Sequence, residues 1–282
     1  MSDVQILTLS CRDRPGITAR VTTFLFEKGG NVIEAQQFND LEDGDFFMRV
    51  AFDPGPADPE ALRSAFGPLA AEFGMRWNLR SRDKPRKVLL MVSKFDHCLA
   101  DLLYRHHAGE LYCDIPLIIS NHPDTHWLAA AYKIPFQHIQ VTKENKMDAE
   151  RQQRALLAAH HVDFFVLARY MQVLSPEFMA HYPNRIINIH HSFLPAFHGA
   201  KPYQRAFERG VKLIGATSHY VTEVLDDGPI IEQDVTRISH RDDLENLVQK
   251  GADMEKVVLS RAVKWHIDNR ILVYGNKTVV FD

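Results

Sequence analysis

From residue 87 onward the sequence alternates between short, almost unbroken apolar runs and longer stretches with helical spacing. The runs are KVLLMVS (87–93), DIPLIIS (114–120), DFFVLA (163–168) and RIINIH (185–190). A strand that is apolar at nearly every position is buried on both faces, as inside a parallel sheet covered by helices. HCLADLLYRH, THWLAAAYK and NKMDAERQQRALLAAH supply those helices, with Leu99, Leu102 and Leu103 on one stripe of the first. The pattern predicts a doubly wound, mainly parallel α/β sheet that collects ligands at the carboxyl ends of its strands.

Residues 1–84 follow a different rule. DVQILTL (3–9), NVIEAQQF (31–38), FFMRVAF (46–52) and a segment near 74–80 read as strands. Residues 16–28 place Ile17, Val21, Phe24 and Leu25 at helical spacing, started by Pro15–Gly16 and stopped by Gly29–Gly30. PGPADPEALRSAF introduces a second helix, so the order is β-α-β-β-α-β, a ferredoxin-like unit. The polar, Pro-containing stretch SRDKPR (81–86) separates the two patterns. We expect one small domain over 1–84 and a larger one over 85–282.

Composition removes several classes of function. A net charge of −3 without a dense Lys/Arg stripe argues against nucleic acid as a partner. No run approaches the roughly 20 apolar residues of a membrane span. The first residues, MSDVQILTLSCRDRPG, lack the basic flank and apolar run of a secretory signal, so a cytoplasmic protein is expected. Cys11, Cys98 and Cys113 are odd in number and widely spaced, which suits reduced thiols better than a disulfide frame. The histidines include no HxH or HExxH pairing, so no metal site is expected.

The densest chemical cluster is NRIINIHHSFLPAFHGA (184–200). Its strand delivers Asn188 and His190 two residues apart, hence on one face, at the open end of the sheet. TSHYVTEVLDDGPIIEQD (217–234) carries Asp226 on a loop between two strands. An amide donor and an imidazole can stabilise an oxyanion, and a carboxylate beside them can take a proton or hold the imidazole. His219, at the end of the strand before that loop, is placed to orient Asp226 or a water. On spacing alone, Asn188 could equally cap a turn, and Asp227–Gly228 is an ordinary hairpin signal.

NIHHSFLPAFHGA together with DDGP resembles the signature of the folate formyltransferase superfamily over about residues 86–282. The resemblance assigns catalytic roles to Asn188, His190 and Asp226, with His191 where the family usually has Pro. LARYMQVLSPEF (167–178) resembles the family's pterin-contacting loop and implies that Met171, Gln172, Val173 and Leu174, with His219 and Leu225, bind the substrate. CRDRPGITARVTTFL followed by GGNV resembles an ACT domain. That implies either a packing module or a site for a small amino-acid effector drawn from Asp13, Arg14, Gly16, Gly30 and Asn31, with side-by-side pairing into a homo-oligomer.

The formyl acceptor is decided elsewhere in the chain. Members of the superfamily that formylate a phosphorylated amine carry a Gly-rich loop after the first strand. Here SKFDHCLADLLYRHHAG follows it, with no glycine before Gly109. Members acting on a tRNA append a C-terminal barrel and need a basic face. An ACT-like head on this domain, with SKxxHCLxDLLYR and YMQVLSP, resembles the members that use water. The implied reaction is hydrolysis of 10-formyltetrahydrofolate to formate and tetrahydrofolate, with no cofactor beyond the folate substrate. Transfer to an amine is the alternative, and a folate- or amino-acid-sensing protein without turnover a third.

Overall fold

A computed structural model describes residues 3–196 and 202–282. The chain forms two compact units, the first comprising Met1–Pro85 with Asp268–Tyr274 and Thr278–Asp282, the second Arg86–Ile267 with Gly275–Lys277.

In the first unit, β1 (Gln5–Arg12), α1 (Ile17–Glu27), β2 (Asn31–Asp40), β3 (Asp45–Asp53), α2 (Pro59–Phe73) and β4 (Arg76–Ser81) follow the expected order. The strands form an antiparallel sheet in the order β2-β3-β1-β4. Leu9, Val21, Met48 and Phe66 pack between the sheet and the two helices. The helix boundaries have local causes. Asp58 accepts a hydrogen bond from the Ala61 N–H with Pro59 in the first turn, and Gly74 ends α2 at φ 63°.

The second unit contains β5 (Arg86–Val92), α3 (His97–His107), β6 (Cys113–Asp114), β7 (Ile118–Ser120), α4 (His126–Ala131), β8 (Phe136–His138), α5 (Lys146–Ala159), β9 (Phe164–Leu167), α6 (Pro176–Ala180), β10 (Ile186–His190), α7 (Pro202–Arg209), β11 (Leu213–Tyr220), β12 (Ile230–Arg237) and α8 (Leu244–Ile267). Its sheet runs β12-β11-β10-β9-β5-β7-β8, parallel from β10 through β8 and antiparallel at β11 and β12. This is the expected α/β class. One run differs. The apolar segment 114–120 is two short strands, β6 and β7, on the same edge of β5, because Pro116 lies between them and has no N–H for the ladder.

The chain ends in a hairpin of β13 (Ile271–Tyr274) and β14 (Lys277–Val280). Val279 and Phe281 pack on Phe47 of the first unit. Among the described residues no helix is long and apolar enough to cross a membrane.

Candidate active site

β10 is the last parallel strand, and its carboxyl end opens on a cavity of about 420 Å³. Asn188 and His190 leave this end on one face, and both line the cavity. β11 runs antiparallel beside β10 and sets Asn188 opposite His219 and His190 opposite Thr217. The β11–β12 register slips between Ser218 and His219, an irregularity of the kind that re-aims a side chain.

The hydrogen bonds assign protons. His219 Nδ1 lies 2.9 Å from the Tyr220 carbonyl oxygen, which can only accept, so Nδ1 carries a proton. Nε2 of neutral His219 is then an acceptor, and Asn188 Nδ2 donates to it at 3.2 Å. Burial holds the His219 pKa below that of an ordinary histidine, favouring this neutral form. The contact fixes which end of the Asn188 amide is nitrogen and leaves its second N–H for a ligand.

Asp226 joins the group from the β11–β12 loop. Its Oδ2 is 3.2 Å from His190 Nδ1 and its Oδ1 3.7 Å from His219 Nε2. Burial works to raise its pKa, but the hydrogen bond and charge of His190 outweigh it, and the carboxyl stays below its usual range. His190 Nε2 is buried and has no hydrogen-bond partner among the described residues.

Two backbone features place the acid. Asp226 adopts φ 57°, a left-handed conformation that Asp tolerates better than most residues. Gly228 is needed for a different reason: a Cβ there would lie 1.8 Å from the Tyr220 carbonyl oxygen. The loop is drawn back onto β11, where the Tyr220 N–H donates to the Pro229 carbonyl.

The opposite wall is the loop after β9. Met171, Gln172, Val173 and Leu174 line the cavity, as do His219 and Leu225. The loop is pinned at both ends. The Met171 N–H donates to Ser93 Oγ at 2.9 Å, and Ser93 in turn donates to Asn121 Oδ1 at 2.6 Å. Ser175 donates its N–H to Glu150 Oε1 at 2.9 Å and its hydroxyl to Oε2, while its own oxygen caps α6 by accepting from Phe178 N–H. Apolar walls with a few fixed polar groups suit a flat heteroaromatic ligand.

Arg169, Glu255 and Tyr203, which the sequence motifs do not single out, meet behind His191. Tyr203 donates to Glu255 Oε1 at 2.6 Å, and Arg169 Nε lies 3.4 Å from Oε2. The signals were present: Arg169 directly follows a buried apolar run, and Glu255 interrupts the stripe Gly251, Val258, Leu259 and Ala262 on α8. His198 and Gly199 lie outside the described residues.

In the first unit the five residues considered for an effector do not converge within one chain. Asp13, Arg14 and Gly16 precede α1, while Gly30 and Asn31 follow it, a helix of 11 residues away. Gly16 begins α1 at φ 95°. Gly30 is confined by packing, since a Cβ would come within 3.0 Å of the Leu25 carbonyl oxygen. Arg14 lies over the Phe73 ring, its guanidinium carbon 4.1 Å from the centroid.

Comparison with known proteins agrees with both units. The Formyl transferase family model matches residues 86–263 and the ACT domain model residues 5–67. A formyltetrahydrofolate deformylase of Synechocystis sp. is 51% identical over 277 residues, 98% of this chain and 97% of that protein. One from Bacillus subtilis is 50% identical over 279 residues, 98% of this chain and 93% of that protein. The crystal structure of a formyltetrahydrofolate deformylase from Pseudomonas syringae superposes with a TM-score of 0.98 at 48% identity, covering 100% of this chain and 95% of the other. With an ACT domain, a formyl transferase domain and full-length relatives of this kind, the chain belongs to the formyltetrahydrofolate deformylase family.

Proposed function

We propose that this protein hydrolyses 10-formyltetrahydrofolate to formate and tetrahydrofolate, with Asn188 and His190 binding the oxyanion and Asp226 serving as the proton acceptor. The observation that carries the assignment is the convergence of Asn188, His190, His219 and Asp226 at one lip of the cavity. The pterin lies along the loop of Met171, Gln172, Val173 and Leu174, with Leu225 opposite and the formyl group toward β10.

Water adds to the formyl carbon, and the carbonyl oxygen takes up negative charge. The second Asn188 N–H and the Nε2–H of a doubly protonated His190 donate to that oxygen. Preorganised donors of this kind cost no reorganisation as the charge develops. Asp226 accepts the Nδ1–H of His190 and thereby fixes the ring with Nε2 toward that oxygen. It also receives the proton that the attacking water sheds. Collapse of the intermediate breaks the bond from carbon to N10, N10 gains a proton, and formate and tetrahydrofolate leave.

The test is product analysis with 10-formyltetrahydrofolate in buffer containing no amine. Formate should appear in equal amount to tetrahydrofolate. Formate-free solutions, with turnover appearing only when an amine is supplied, would instead make the protein a formyltransferase.

For the ACT domain we propose binding of a small amino acid between the first units of two copies. Pairing would bring together groups that one chain holds at opposite ends of α1. Titration calorimetry with glycine and with methionine tests this, and no heat at millimolar ligand would reject it.

A further inference from the structure

A second cavity, of about 430 Å³, lies beside the one already described and shares Arg169 and His191 with it. Phe95, His97, Tyr203 and Glu255 form much of its remaining wall. Arg169 is 9% exposed, yet its Nε and Nη1 have no hydrogen-bond partner among the described residues. Buried donors left in that state are costly and call for an explanation. Glu255 balances the charge as an ion pair at 3.4 Å from Nε but makes no hydrogen bond to these donors, while its oxygens accept from or face His97 Nε2 at 2.8 Å and the Tyr203 hydroxyl at 2.6 Å. Phe95 covers one face of the guanidinium, 5.4 Å from ring centroid to guanidinium carbon. The backbone of Arg169 sits at φ 64°, a conformation that side-chain-bearing residues adopt rarely and at a cost.

We propose that Arg169 makes this second cavity a binding site for a small carboxylate and that formate, released next door, is its ligand. The identity of the ligand rests on the hydrolysis proposed above; the carboxylate site itself does not. The reacting formamide is neutral. Once water has formed the new C–O bond, the C–N10 bond has broken and N10 has taken a proton, the formic acid left behind gives up its remaining acidic proton. Unlike the transient oxyanion, which Asn188 and His190 hold, formate is a stable carboxylate that leaves the site and can be held by a second cation. A guanidinium matches a carboxylate in shape and supplies charge-assisted hydrogen bonds.

The surroundings favour an anion over a metal. His97, Cys98 and Glu255 present ligand atoms within 4.8 Å of one another, but the fixed charge of Arg169 beside Glu255 opposes a second cation. Burial pushes the Cys98 thiol well above its usual pKa, so it is not a thiolate ligand.

The experiment uses the full chain and [13C]formate observed by NMR line broadening, with chloride-matched controls. Wild-type protein should broaden the formate signal, and saturation of the first cavity with tetrahydrofolate should leave the broadening in place. Arg169→Gln should weaken formate binding by about tenfold or more, and Arg169→Lys by less. Added formate should slow wild-type turnover more than it slows Arg169→Gln. No broadening with wild-type protein overturns the proposal whether or not the variants fold. So does displacement of formate by tetrahydrofolate, or unchanged broadening in an Arg169→Gln protein with wild-type circular dichroism. A wild type that binds formate but releases none from 10-formyltetrahydrofolate would sink the hydrolase reading and leave the carboxylate site standing.

Discussion

Asn188 on β10 lies directly across the sheet from His219 on β11, and its amide nitrogen donates to His219 Nε2 at 3.2 Å. The pair is a relay of orientation. The Tyr220 carbonyl selects the His219 tautomer, the tautomer selects the Asn188 rotamer, and the rotamer aims an N–H at the substrate.

This relation predicts a selective defect in His219→Phe. Asn188 would lose the acceptor that fixes its amide, while the loop of Met171, Gln172, Val173 and Leu174 would be untouched and an aromatic ring would still fill the place of His219 in the cavity wall. We expect kcat to fall by about 10- to 100-fold with little change in KM, somewhat less than the loss from removing an oxyanion donor outright. Steady-state kinetics that showed a raised KM and normal kcat would contradict the orienting role.

Asp226→Asn separates folding from chemistry. Asn is at home in the left-handed conformation at φ 57°, so the loop should keep its shape and the melting temperature should stay within a few degrees of wild type. The amide can neither accept the water's proton nor offer a carboxylate to His190 Nδ1. Formate release should drop by about 1,000-fold or more, and near-normal turnover in this variant would exclude Asp226 as the proton acceptor.

Gly228→Ala should damage the same step from outside the catalytic set. The added methyl would meet the Tyr220 carbonyl oxygen at 1.8 Å, and that atom belongs to the backbone of β11 and cannot yield cheaply. The loop must shift, taking Asp226 with it. A fall in kcat together with lowered thermal stability is expected; a fully active, equally stable Gly228→Ala protein would show that the close approach does not matter.

His191 predicts a pH dependence of stability. Burial, assisted by the positive charge of Arg169, lowers its pKa to about 4. A histidine whose folded pKa lies below the unfolded value near 6.5 favours folding when neutral, so its contribution is present above that pH and is lost as the pH falls toward 4. His191→Asn should flatten the decline in melting temperature between about pH 6.5 and pH 4. Parallel curves for the two proteins would remove His191 as a contributor.

Much of the fold was legible because the signals were local. Apolar runs long enough for one strand, separated by helical stripes, leave few arrangements other than a parallel sheet between helices. Boundaries were legible where Pro, Gly or a capping side chain acts on its own neighbours, as at Asp58, Pro59 and Gly74. The run 114–120 has the apolar pattern of one strand, and Pro116 interrupts it only once β5 lies beside it. The 24-residue helix α8 was not assigned, since Gly251 and Glu255 blur its apolar stripe; both turn inward for reasons that reside in Tyr203 and Arg169.

The sequence by itself determined the fold class, the family and the pairing of Asn188 with His190 on one face of a strand, because two-residue periodicity and motif spacing need no knowledge of distant partners. Tertiary structure alone decided the rest. It set β11 beside β10, so that His219 reaches Asn188 and the Asp226 loop closes over His190. It also brought α8 behind the site, where Glu255 meets Arg169. Those contacts join residues 31 to 86 positions apart. They depend on strand order and on burial that strengthens charge interactions, and neither is written in any local stretch of the chain.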